Sequence, residues 1–166
     1  MQVHRAIETE VPELCSLVIA AKAHWGYSVE QISTWRTSLE VSAETISSYP
    51  TFVGEMDGQI VGFYSLVPSP QAWELDHLWV HPRFMRRGYG RALLAHAMQT
   101  AANGGAMAIN IDADPNAEPF YLACGAERVD IVAAPIPGQS TRVRPQLVLD
   151  VRQPDISIQG AAFGGS

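Results

Sequence analysis

Four of the ten arginines in this chain fall in one short run, Arg83-Phe84-Met85-Arg86-Arg87-Gly88-Tyr89-Gly90-Arg91. The run follows an apolar, strand-like stretch from Trp73 to Val80. It opens a helix-like one, rich in Ala and Leu, from Gly90 to Ala102. A strand, a glycine turn and a helix in this order leave few folds open. The first N–H groups of the helix have no partners inside it and point forward, where the macrodipole favours an anion. Glycines allow close backbone approach, and arginines add charge-assisted bonds. The run therefore predicts a site for a phosphorylated ligand. A dinucleotide fingerprint needs a third glycine near Leu93, and a Walker loop needs Gly-Lys-Ser/Thr. Neither is present, and Lys22 is the only lysine.

The rest of the chain limits the class. Its 166 residues predict one domain with a sizeable core, 1–153, followed by a loose tail, 154–166. A net charge of -6 argues against a nucleic-acid partner. No apolar run approaches the roughly 20 residues that span a bilayer, and Met1 to Arg5 lead into no signal-peptide core. A cytoplasmic protein with no membrane partner is expected. Cys15 and Cys124 are too few for a disulfide scaffold and read as small core residues.

Along the chain, Val3 to Ile7 predicts a strand. Thr9 caps a helix with Pro12 in its first turn and Leu14, Leu17, Val18 and Ala21 on one face. Ser28 and Gln31 form a capping box for a second helix through Ile32, Trp35 and Leu39, and Ser42 starts a further short turn. Thr51 to Met56 and Gln59 to Val67 form a hairpin around Asp57-Gly58. Asn103-Gly104-Gly105 stops the helix after the arginine run. Then come a strand from Ala106 to Ile111, a helix from Pro115 to Cys124, and strands from Arg128 to Ala134 and Gln146 to Val151. The order predicts an α/β fold, a mixed central sheet of about six or seven strands with helices on both faces.

The residues also match a family. Leu75-Asp76-His77-Leu78-Trp79-Val80-His81-Pro82, followed by Arg87-Gly88-Tyr89-Gly90-Arg91-Ala92-Leu93-Leu94, resembles the acetyl-CoA-binding motif of the GCN5-related N-acetyltransferases. Asp114-Pro115-Asn116-Ala117, Phe120-Tyr121 and Cys124-Gly125-Ala126 resemble its next motif, and the element order agrees over nearly the whole chain. Two positions depart from the pattern: Met85 stands where the family usually has Gln or Arg, and Arg86 where it has Gly. Ala126 replaces a frequent Phe.

The resemblance implies acetyl-CoA as cosubstrate and transfer of its acetyl group to a primary amine by direct attack in a ternary complex. It implies that Met85, Arg86, Arg87, Gly88, Tyr89, Gly90 and Arg91 hold the phosphates. Leu78, Trp79 and Val80 would pair with the pantetheine on a splayed strand edge, one N–H polarising the thioester carbonyl. Alternation puts Glu74 and Asp76 on one strand face and His77 on the other. Glu74 has the same offset from Gly-x-Gly as the general-base glutamate of the histone-type members of that family, which makes it the first candidate base, with Asp76 the second; each also reads as a structural carboxylate. Tyr121 matches the tyrosine that protonates the leaving thiolate. Asn116 is either a pantetheine ligand or a helix cap. His24, Trp25 and Tyr27, between the first two helices, either roof a pocket for a small-molecule amine or staple the helices together. His77 and His81 lack a third partner for a metal. A homodimer follows by analogy alone. A non-catalytic acyl-CoA-binding sensor is the alternative reading of the same fold.

Overall fold

The computed structural model describes residues 1–152. The tail that the sequence sets apart from 154 lies outside the described residues. The described residues form seven strands: β1 (Gln2–Arg5), β2 (Thr51–Met56), β3 (Gln59–Val67), β4 (Ala72–Val80), β5 (Ala108–Asp112), β6 (Glu127–Ala133) and β7 (Val143–Asp150). The helices are α1 (Val11–His24), α2 (Val29–Thr34), α3 (Arg36–Leu39), α4 (Ala43–Ser48), α5 (Tyr89–Asn103) and α6 (Glu118–Ala123). Strand order is β1-β2-β3-β4-β5-β7-β6. β4 and β5 run parallel, whereas β1–β2, β2–β3, β5–β7 and β6–β7 are antiparallel. The α/β class and the mixed sheet are as the sequence predicts; most of the strand pairings are antiparallel.

The chain forms two compact units. One holds residues 1–67 and 76–94, the other residues 68–75 and 95–152, so β4 and α5 each pass from one unit into the other. In the first unit the core gathers Leu14, Leu17 and Val18 of α1 with Val41, Ile46, Val53, Ile60 and Phe63, and Trp79 packs against it. These α1 residues recur three and four apart, which is what gives the helix one apolar face. The hairpin closes at Asp57 (φ 51) and Gly58 (φ 76), with Met56 opposite Gln59. Two left-handed residues match the twist of the flanking strands. In the second unit Ile109 and Ile111 of β5 lie opposite Leu149 and Leu147 of β7, all four buried. Gly104 belongs there because a Cβ would sit 2.3 Å from the Trp73 ring.

Several local expectations are corrected. Thr9 does not cap α1: residues 8–10 form a 3-10 turn. Glu10 ties the entry instead, accepting from the Ile7 amide at 3.0 Å and pairing with His4 Nε2 at 2.7 Å. The helix expected through Trp35 breaks there into α2 and α3, because Trp35 takes φ -88 and ψ 0. Residues 115–117 form a turn, so α6 starts later than Pro115. β7 begins at Val143 and contains Pro145. Proline offers no N–H to a ladder, but the Pro145 carbonyl still accepts from the Ala113 amide at 3.0 Å.

Candidate active site

In the first unit, β4 leads through His81 into a 3-10 turn, Pro82–Phe84, where His81 Nδ1 accepts from the Arg83 amide at 3.2 Å. Met85 is extended, Arg86 is left-handed (φ 61), Gly88 is left-handed (φ 84), and α5 begins at Tyr89. Two left-handed residues thus stand just ahead of the first amides of α5, which lack partners inside the helix and suit an anion. Gly88 fits because only glycine adopts its conformation without penalty. Arg86 pays about 1–2 kcal/mol for the same hand, at the position where the resembled family has glycine. Arg86, Arg87 and Arg91 are exposed, and the Arg87 guanidinium lies 5.9 Å from the Phe84 ring centroid. The donor set of amides and arginines fits a diphosphate.

The strand entering this turn is set by a residue the sequence reading passed over. Gly62 on β3 is buried, and a Cβ there would stand 2.4 Å from the Trp79 carbonyl oxygen and 3.2 Å from Val80 Cα. Its bare backbone lets β4 approach closely. The signal was a glycine inside a strand pattern. Glu74 is the last β4 residue paired with β5, opposite Asn110, while β4 itself runs on to Val80. Leu78, Trp79 and Val80 are partly buried.

Asp76 is exposed and His77 buried, as strand alternation requires. His77 Nδ1 accepts from the Trp79 indole N–H at 2.9 Å, which puts the proton of the neutral ring on Nε2, 3.5 Å from Asp76 Oδ2. Burial lowers the His77 pKa, and Asp76 offsets part of that effect. Tyr27 is buried and meets Trp35 edge-on at 4.8 Å, whereas His24 and Trp25 are exposed. Lys22, on the last turn of α1, is 7% exposed. Its Nζ lies 4.7 Å from the Trp35 ring centroid, 5.1 Å from Tyr27 and 5.6 Å from Trp79. A buried lysine bounded by three rings is a cation–π cage. Its only trace in the sequence is a lysine on the apolar face of a helix.

In the second unit, Glu74 is exposed and its Oε1 accepts from Asn110 Nδ2 at 3.0 Å. The parallel register puts these two side by side, which composition alone does not reveal. Asn116 does not cap α6, whose N-cap is Ala117 with no side-chain cap. Its amide and side chain both donate to Asp114 Oδ1, at 2.8 and 3.0 Å. Asp114 in turn faces Arg142 at 3.7 Å, with both side chains largely buried. Arg142 Nη1 also donates to the Ala134 carbonyl at 3.0 Å. Tyr121 is buried on α6; burial, reinforced by Cys124 and Asp114, pushes its pKa well above the ordinary tyrosine value. The phenol thus keeps its proton across neutral pH. Among the described residues, no group of three or more His, Cys, Asp or Glu could hold a metal ion. No described helix is long and apolar enough to cross a membrane.

Comparison with known proteins bears on the family and the fold. The family model described as "Acetyltransferase (GNAT) family" matches residues 18–126. An uncharacterized N-acetyltransferase of Escherichia coli, YafP, is 30% identical over 121 residues, 70% of this chain and 75% of the relative. The PaiA N-acetyltransferase of Thermoplasma acidophilum, solved with coenzyme A, superposes with a TM-score of 0.72 at 16% identity, covering 90% of this chain and 98% of that one. YncA from Salmonella typhimurium, solved with its cofactor acetyl-CoA, gives a TM-score of 0.68 at 18% identity, over 92% and 95% of the two chains. At these identities the solved structures speak to the fold.

Proposed function

Because this chain belongs to the acetyltransferase (GNAT) family, we propose that it transfers an acetyl group from acetyl-CoA to the primary amine of a small molecule in the cytoplasm. The amine attacks the thioester directly within a ternary complex. The observation that carries this reading is the turn at Arg86 and Gly88, left-handed at both residues and leading straight into α5. Coenzyme A bound to PaiA and acetyl-CoA bound to YncA support acetyl-CoA as the cosubstrate.

The roles follow from chemistry. Amides and side chains from Met85 through Arg91, including Tyr89 and Gly90, neutralise the diphosphate. The β4 edge at Leu78, Trp79 and Val80 pairs with the pantetheine, and a backbone N–H there stabilises the charge that develops on the thioester oxygen. Asn116, with its carbonyl oxygen turned away from the amide that binds Asp114, accepts from the pantetheine. Glu74, oriented by Asn110, takes the proton of the attacking amine, with Asp76 as the second candidate. Tyr121 returns a proton to the leaving thiolate; burial keeps the phenol protonated and also makes it a weaker acid. His24, Trp25 and Tyr27 roof the acceptor. A homodimer is the assembly expected by analogy with relatives.

The test is thiol release from acetyl-CoA in the presence of a panel of amines: amino acids, polyamines, aminoglycosides and lysine peptides. The proposal expects amine-dependent release for at least one class and an N-acetylated product by mass. Tight acetyl-CoA binding with no release across the panel would favour the sensor reading instead.

A further inference from the structure

Lys22 is the only lysine in the chain; the ten other residues of its Lys and Arg set are arginines. It is buried on α1, with Nζ among the rings of Trp35, Tyr27 and Trp79. Trp79 is itself held by its indole N–H bond to His77. As a permanent cation for such a cage, arginine is the better choice, since its planar guanidinium stacks on ring faces and stays charged. What lysine offers and arginine lacks is an amine that becomes a nucleophile when it loses a proton.

We propose that Lys22 is an internal acetyl acceptor, acetylated by its own chain when acetyl-CoA lies along the β4 edge at Leu78–Val80. The inference rests on the reading of that edge given under Proposed function. Trp79 is both the middle residue of the edge and one wall of the cage, so the amine is stored beside the strand proposed to carry the thioester. The rings attract positive charge and hold the ammonium, not the neutral amine. In its neutral form the nitrogen carries a nucleophilic lone pair. That lone pair attacks the thioester carbonyl carbon and forms an N–C bond. The C–S bond breaks, and the sulfur leaves with its electron pair and takes up the proton given up by nitrogen. The products are Nζ-acetyl-lysine and free coenzyme A; nothing is oxidised or reduced. Acetyl-Lys22 carries no charge for the rings to hold, so acetylation also loosens the tie between the end of α1 and β4.

The experiment needs no other acceptor. The full chain is incubated with acetyl-CoA alone and followed by intact mass, then by peptide mapping to separate Lys22 from the Met1 amine. A synthetic peptide of residues 17–27 runs beside it, and calorimetry records acetyl-CoA binding. The proposal expects one acetyl group on Lys22, gained at least about tenfold faster than on the peptide. Lys22→Arg should take none at that position. Lys22 left unmodified, or modified no faster than the peptide, while calorimetry shows saturable binding, would overturn the proposal and leave the cofactor reading standing. No calorimetric binding would sink the cofactor reading and this inference together.

Discussion

Replacing Gly62 by alanine places a methyl group 2.4 Å from the Trp79 carbonyl oxygen, 2.9 Å from Leu93 Cδ1 and 3.2 Å from Val80 Cα. The Leu93 methyl can turn aside, but a strand carbonyl cannot. The closest contact is about 1 Å shorter than an ordinary one, and relief requires β4 to shift against β3. The same stretch is pinned by the His81 amide bond to the Val61 carbonyl at 2.9 Å. Overpacking of this kind costs about 1–3 kcal/mol, read as a lower urea midpoint with an unchanged slope. Because the displaced backbone is the edge proposed to hold pantetheine, acetyl-CoA affinity should fall with stability, by about tenfold or more for a displacement near 1 Å. Gly54→Ala is the matched control: the nearest atom to its Cβ is Met1 Sδ at 2.7 Å, on a flexible side chain, and both losses should be much smaller. If Gly62→Ala unfolds and binds acetyl-CoA like the wild type, the close approach of β3 does not set this edge.

Other expectations can be checked with the same protein. Tyr121→Phe should lower kcat by about 100-fold or more while calorimetry finds acetyl-CoA affinity nearly unchanged; equal turnover would remove Tyr121 from the chemistry. Arg142→Ala leaves Asp114 without its guanidinium and should cost about 3–5 kcal/mol in urea unfolding, with near-wild-type stability as the contrary result. Burial lowers the affinity of folded His77 for a proton, so the unfolded chain takes up that proton first as pH falls. The stability contributed by neutral His77 is whole above about pH 6.5 and is lost as pH drops through the lowered native value. Urea midpoints measured against pH should show this decline in the wild type and a weaker one in His77→Gln; identical profiles would contradict it.

What the sequence disclosed was mostly local. Asp57-Gly58 announced its turn because two left-handed residues are a local need, and Gly105 (φ 88) and Gly125 (φ 94) mark helix ends for the same reason. Ser28 caps α2 through the Gln31 amide, the Ser28 half of the capping box that its spacing suggests. The arginine–glycine turn was legible for the same cause, since its strand, loop and helix are contiguous. What stayed hidden depends on register. Asn110 meets Glu74 only because β4 and β5 pair with those two residues opposite. Gly62 matters only once β4 lies beside it, and Lys22 finds rings from residues 27, 35 and 79, the last far away in sequence. Asn116 looked like a cap by position, yet Asp114 two residues earlier competes for its donors and wins them.

The proposed transfer depends on the backbone between Met85 and Arg91 holding a diphosphate. Backbone amide NMR during titration with coenzyme A tests it most directly. The amides of Arg86 to Arg91 and of Leu78 to Val80 should shift together and saturate with one affinity. Saturable binding that leaves those amides unmoved, or no binding at all, would contradict the account.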